Sequence, residues 1–176
     1  MDIHVTAQAD NPQLGELSWR SADGKRTVPC ALGRSGPAVQ KREGDGATPI
    51  GRFPLRRVLY RADRVTLPDL SLPVSVIAPG DGWCDDPTSP DYNRQVQLPI
   101  AAGHEHLWRL DSLYDIIVVL GHNDDPPIAG AGSAIFLHVA SADYRPTEGC
   151  VAVARDDLTA LLASCRPGDA LITSLG

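Results

Sequence analysis

The chain alternates between short apolar runs and clusters of glycine, proline and aspartate. Residues 3–6 (IHVT) and 15–20 (GELSWR) read as a first hairpin, with Asn11-Pro12 in its turn region. Asp23-Gly24 signals a second turn, and residues 25–32 resume a strand. Residues 33–51 carry five glycines and two prolines and predict a long ordered loop or a loop with short strands. A strand with exposed arginines follows over 52–60, and a shorter one over 74–77. Residues 103–113 (GHEHLWRLDSL) predict a short helix. Residues 114–120 (YDIIVVL) form the clearest buried strand, a continuous β-branched run. Further strands are expected at 134–137, 151–153 and 170–173. Leu158, Leu161, Leu162 and Cys165 fall at i, i+3, i+4 and i+7, which predicts one helical face. Asp156 and Asp157 suit the positive N-terminal end of that helix.

Composition strengthens the sheet-rich reading. The 176 residues include 15 prolines and 16 glycines, spread along the chain, while few segments suit helices. That length supports one buried core, and no repeat or linker divides it, so residues 1–176 are expected to form a single domain. The net charge of -6 argues against a nucleic-acid binder. No apolar run reaches the roughly 18 residues of a membrane span. The first residues, MDIHVTAQAD, show neither the basic nor the apolar region of a secretory signal. Cys30, Cys84, Cys150 and Cys165 lack CxxC spacing, which disfavours a zinc ribbon, and three of them read as buried thiols.

Candidate chemistry concentrates in residues 134–153 (AIFLHVASADYRPTEGCVAV). A strand delivers His138, a polar loop follows, and Cys150 stands where the chain turns apolar again. A thiol becomes a strong nucleophile when an imidazole takes its proton, so Cys150 is expected as nucleophile and His138 as base. Gly149 permits a tight turn, and the N–H groups of Gly149 and Cys150 are placed to hold an oxyanion. His122, Arg145, Arg42, Tyr144, Thr147 and Trp83 are the candidates for holding substrate. Glu148 would raise the thiol pKa if it faced the sulfur, so it is expected to turn away, toward an arginine such as Arg145. His122 also ends a strand; if the two strands are neighbours, both histidines face one cleft. His4 reads as structural. His104 and His106 are two apart and do not share a helix face, which disfavours a metal pair.

Two stretches together resemble the L,D-transpeptidase catalytic domain, the YkuD-type family. Residues 46–53 (GATPIGRF) are similar to its threonine-proline-x-glycine-x-phenylalanine turn. His138 followed by Thr147-Glu148-Gly149-Cys150 is similar to its histidine and its serine-or-threonine, x, glycine, cysteine motif. Three features depart from the usual pattern and, with the insertion at Trp83-Cys84-Asp85-Asp86 and the turn over 121–126, look like marks of a divergent Gram-negative branch. The step from His138 to Cys150 is 12 residues, Glu148 replaces a common histidine, and Ala152 replaces a common arginine or asparagine.

The resemblance implies a mainly β, sandwich-like fold of mixed, mostly antiparallel strands with one or two short helices. It implies a cysteine acyltransferase acting on peptidoglycan stem peptides, with no metal or organic cofactor. Its products would be 3-3 or 1-3 cross-links; an L,D-carboxypeptidase or a cysteine peptidoglycan hydrolase using the same Cys–His pair is the alternative. A monomer in the periplasm is expected from that chemistry. Rival readings are a papain-like hydrolase using Cys84, a zinc peptidase using His122, Asp124 or Asp125 and His138, and a non-catalytic wall-binding domain.

Overall fold

The structure, a computed structural model, describes residues 1–175. In order, the strands are β1 (Asp2–Ala7), β2 (Leu14–Ser21), β3 (Gly24–Ala31), β4 (Pro37–Ala38), β5 (Thr48–Pro49), β6 (Gly51–Tyr60) and β7 (Val74–Val76). They continue with β8 (Asp81–Cys84), β9 (Gln95–Gln97), β10 (His104–His106), β11 (Ile116–Leu120), β12 (Phe136–Val139), β13 (Val151–Val153) and β14 (Ala170–Ser174). The helix α1 (Arg155–Leu162) lies between β13 and β14. The fold is mainly β, as expected.

Nine strands form one sheet in the order β11-β12-β13-β3-β2-β1-β14-β6-β7. β6 also pairs with β11, so the sheet closes on itself between those strands. Most pairings are antiparallel, while β1–β14, β12–β13 and β6–β7 are parallel. Closure removes the exposed edges that an open sheet would leave on β6 and β11. The hairpins β1–β2 and β2–β3 form as the turn signals predict. In β1 the alternation is strict: Ile3, Val5 and Ala7 point inward and their neighbours are exposed.

β11 and β12 are buried on both faces, because each separates two cores. Ile116, Val118 and Leu120 enter the main core with Leu137, Val139, Val151 and Val153. The face of α1 formed by Leu158, Leu161 and Leu162 packs there too, with Cys165 just beyond the helix. Ile117 and Val119 point the other way, into a second core with Phe136, Trp83, Leu107, Tyr114 and Cys150. A small sheet of order β10-β8-β9 contributes Trp83 to this second core.

One expectation changes. Residues 103–113 do not make a helix; His104–His106 is a strand paired with β8, and bends follow. Cross-strand bonds to Gly82, Trp83 and Cys84 outweigh the weak helical periodicity of that segment. The loop over 33–51 contains the two-residue strands β4 and β5, paired in parallel.

Asp115 anchors the start of β11. It is 2% exposed and takes ion pairs from Arg64 at 3.1 Å and Arg155 at 2.5 Å. It therefore ties β11 to the first residue of α1 and to the turn after β6.

Phe136 is fully buried, with Trp83 and Tyr114 against it edge-to-face at centroid distances of 5.0 and 6.1 Å. Phe136→Ala should lower unfolding free energy by about 3–5 kcal/mol, read from a denaturant melt. A loss below about 1 kcal/mol would mean that the second core collapses around the void.

Candidate active site

His138 and Cys150 reach one site because of strand alternation. β12 and β13 run parallel with Leu137 opposite Val151 and His138 opposite Ala152. Side chains alternate faces along each strand, so Phe136, His138, Cys150 and Ala152 share the face turned from the main core. Cys150 sits one step before β13, diagonal to His138, in a position from which side chains meet. Ala152, directly opposite the imidazole, adds only a methyl group. His138, Cys150 and Ala152 line one cavity of about 580 Å³.

The two motifs of the sequence meet here. Gly33 bridges to Thr147, with Arg34 N donating to Thr147 O at 2.8 Å and Thr147 N to Leu32 O at 2.9 Å. Thr48 Oγ1 of the threonine-proline turn accepts from Gly33 N at 2.8 Å. Thr147 Oγ1 donates to Cys150 O at 2.7 Å and accepts from Gly149 N at 3.1 Å. The turn therefore buttresses the loop that presents the cysteine. The Gly149 N–H, expected to hold an oxyanion, is occupied by Thr147.

Gly149 has φ +135°, and a Cβ there would lie 2.8 Å from Ala47 O. The cysteine loop can pack on the threonine-proline turn only with glycine at this position.

Cys150 is 6% exposed. Its thiol donates to Ala134 O at 3.2 Å, and Phe136 N–H points at the sulfur from 3.4 Å. Burial, reinforced by Glu105, pushes the thiol up to about 12. His138 is 5% exposed and its Nδ1 lies 2.9 Å from Val139 O. A carbonyl only accepts, so Nδ1 carries the hydrogen and Nε2 is left as the basic nitrogen. Burial pushes the imidazole down to about 4, with Arg109 adding to the effect. The resting pair is therefore neutral thiol and neutral imidazole.

Asn93 sets the position of the thiol's acceptor. It is 6% exposed, and its Oδ1 accepts from Trp83 Nε1 and from Ala134 N, both at 3.0 Å. Its Nδ2 donates to the carbonyls of His122 and Asn123 at 3.0 and 2.7 Å. Three separate segments are thus pinned by one side chain, and Ala134 is held with its carbonyl toward Cys150.

The other sequence candidates divide. Thr147 and Arg145 line the cavity; Arg145 is 76% exposed and bonds Asp143 at 3.2 Å. Glu148 turns outward to Arg34 at 2.8 Å, not to Arg145. Trp83 is buried in the second core and supports Phe136 from behind. Arg42 is exposed and Tyr144 half-buried, and neither lines the cavity. His122 and His138 do not share a cleft. Their strands are neighbours, but β11 and β12 are antiparallel, so the strand ends that carry them lie at opposite ends of the pair. His122 instead packs on Phe53 with centroids 5.5 Å apart and bonds Ala131 O at 3.1 Å. Cys84 is fully buried. Among the described residues, no group of three or more His, Cys, Asp or Glu side chains is arranged to hold a metal ion.

Lys41, which with Arg42 reads from sequence as a solvated loop face or a carboxylate-binding edge, also lines the cavity, as do Glu43, Asp85, Glu105, Arg109 and Tyr114, which no sequence pattern marks as site residues. Glu105 was hidden by the helical reading of its segment. In a strand, His104 and His106 take one face and Glu105 the other, where it accepts from Tyr114 Oη at 2.7 Å. Burial pushes the carboxyl of Glu105 up.

A family model described as the L,D-transpeptidase catalytic domain (YkuD) matches residues 4–172. Among solved structures, the chain is similar to the helical cell shape determining protein Pgp2 from Campylobacter jejuni. The identity is 13% and the TM-score 0.45, over 98% of this chain and 47% of that one. It is also similar to L,D-transpeptidase 1 from Mycobacterium tuberculosis, at 16% identity and TM-score 0.41, over 99% of this chain and 62% of that one. The chain thus spans less than two thirds of either structure. No curated protein matches it in sequence.

The depressed imidazole of His138 makes stability depend on pH. The unfolded side chain binds its proton near 6.5, the folded one only near 4. Stability is complete above about 6.5 and falls as pH drops toward 4, by on the order of 3 kcal/mol. His138→Gln should lack that increment, so its stability difference from the parent should change between pH 7 and pH 4. A constant difference across that range would contradict the assignment.

Proposed function

The chain belongs to the L,D-transpeptidase catalytic-domain family, and on that premise we propose that it is a cysteine-dependent L,D-transpeptidase acting on peptidoglycan stem peptides. The observation that carries this reading is the pairing of β12 with β13, which sets Cys150 and His138 on one face of one cavity.

The chemistry follows from the neutral resting pair. The thiol swings from Ala134 O toward His138 Nε2, and the proton moves to the imidazole as sulfur attacks the carbonyl of the donor stem. Nδ1–H remains on Val139 O and fixes the ring throughout. The tetrahedral oxyanion is held by backbone N–H groups of the cysteine loop; the bond between Gly149 N and Thr147 Oγ1 opens as it forms. Collapse breaks the peptide bond, and the imidazolium returns its proton to the departing D-residue's amine. The amine of a second stem then attacks the thioester, gives its proton to His138, and regenerates the thiol. The new amide is a 3-3 or a 1-3 cross-link.

Arg145 and Thr147 are the proposed substrate contacts at the cavity's rim, with the exposed Arg145 offering a carboxylate partner. No helix among the described residues is long and apolar enough to cross a membrane. On this reading the protein works in the periplasm, where its stem-peptide substrate lies, and acts as a monomer without a cofactor.

Incubation with tetrapeptide muropeptides tests the reading. Cross-linked dimers should form, and Cys150→Ala should lower their rate by about a thousandfold or more while leaving the fold intact. Shortened monomers without dimers would make the protein a carboxypeptidase. Dimers that persist in Cys150→Ala would end the assignment.

A further inference from the structure

Lys41 is an unusual lysine. Its side chain is only 5% exposed, although it belongs to the loop between β4 and β5. Lysine is almost never this buried unless paired. Its Nζ is bonded to Asp45 Oδ1 and to Arg42 O, the latter at 3.0 Å. Asp45 is fixed in turn by the N–H groups of Arg42 at 2.7 Å and Ala47 at 2.8 Å. The ammonium is thus held in place.

Two glycines with positive φ make its channel. A Cβ on Gly132 (φ +95°) would lie 2.7 Å from Lys41 Cγ and 3.0 Å from Cε. A Cβ on Gly149 would lie 3.5 Å from Nζ. The stem of Lys41 therefore passes Gly132 and ends beside the residue preceding the nucleophile. Lys41, Cys150 and His138 line the same cavity.

Most charge facing Cys150 across this cavity is negative. Glu105 of β10, Asp85 beyond β8 and Glu43 of the lysine's own loop all line it, and the Tyr114 hydroxyl faces in beside them. His138 of β12 is the base, and Arg109 and Asp111 form a bidentate pair with each other near it. Against that background a sulfur that loses its proton needs a fixed positive neighbour.

We propose that Lys41 is a positioning residue for the nucleophile: its ammonium, threaded past Gly132 to Gly149, supplies the positive field that stabilises negative charge on Cys150 as the proton leaves. This rests on Cys150 being the nucleophile. Consistent with the geometry, Lys41 favours the Cys150 thiolate, opposing burial and Glu105. Asp45 partly neutralises that field, so the pair Lys41–Asp45 tunes the thiol from both directions.

The test is the pH dependence of Cys150 alkylation by iodoacetamide, followed by mass on the peptide that carries Cys150. It needs no stem peptide, so it succeeds or fails independently of the transpeptidase reading. Lys41→Met should move the profile to higher pH and slow alkylation at pH 8 by about tenfold. Asp45→Asn should move the profile the opposite way, to lower pH, because the ammonium loses its counter-charge. Opposite shifts are what a purely structural role cannot produce. Shifts in the same direction, or profiles that superimpose on the parent, would overturn the proposal. If Lys41→Met does not fold, Asp45→Asn decides alone: a move to lower pH supports the field, and no move or a move to higher pH overturns it.

Discussion

The parallel register of β12 on β13 is the constraint on which the site depends. Leu137 opposite Val151 sets two residues on the main-core side, and the same register sets His138 opposite Ala152 on the other. A slip of one residue would send Cys150 or His138 into the hydrocarbon core and put a valine in the cavity. The register is held from both sides. Val151 and Val153 are committed to the main core with Leu137 and Val139, while Phe136 is clamped by Trp83 and Tyr114. A slip would forfeit the burial of two large apolar surfaces at once, which makes the catalytic geometry a by-product of core packing.

Around that pair the protein has built a dry setting. The thiol at about 12 and the imidazole at about 4 are displaced in opposite directions by the same cause, burial. A preformed thiolate–imidazolium pair is therefore disfavoured in the free protein, and proton transfer is coupled to attack on the substrate. The resting thiol parks its proton on Ala134 O, whose segment Asn93 pins to Trp83 and to the turn after β11. One chain of contacts runs through the second core: the small sheet fixes Asn93, Asn93 fixes Ala134, and Ala134 holds the sulfur.

Much of this was legible in the sequence. Turn signals and short β-branched runs gave the hairpins, the doubly buried β11 and the single amphipathic helix. His138, Cys150 and the threonine-proline turn could be named because each is a local pattern, and the structure brings all three together. What could not be read depends on strand direction and side-chain reach. His122 ends a strand next to that of His138, yet antiparallel pairing separates them. Lys41 and Arg42 are adjacent in sequence, but the gaps left by Gly132 and Gly149 admit only Lys41 to the cavity. Residues 103–113 looked helical because cross-strand bonds to Gly82, Trp83 and Cys84 leave no local trace.

The central claim is that Cys150 carries the acyl group. The most direct measurement is the intact mass of the protein quenched in acid during turnover of a tetrapeptide stem, followed by peptide mapping. The mass should rise by that of the acyl donor less its departed D-residue, and the increment should map to the peptide bearing Cys150. An increment on the peptide bearing Cys84, or product formation with no increment at all, would contradict the account.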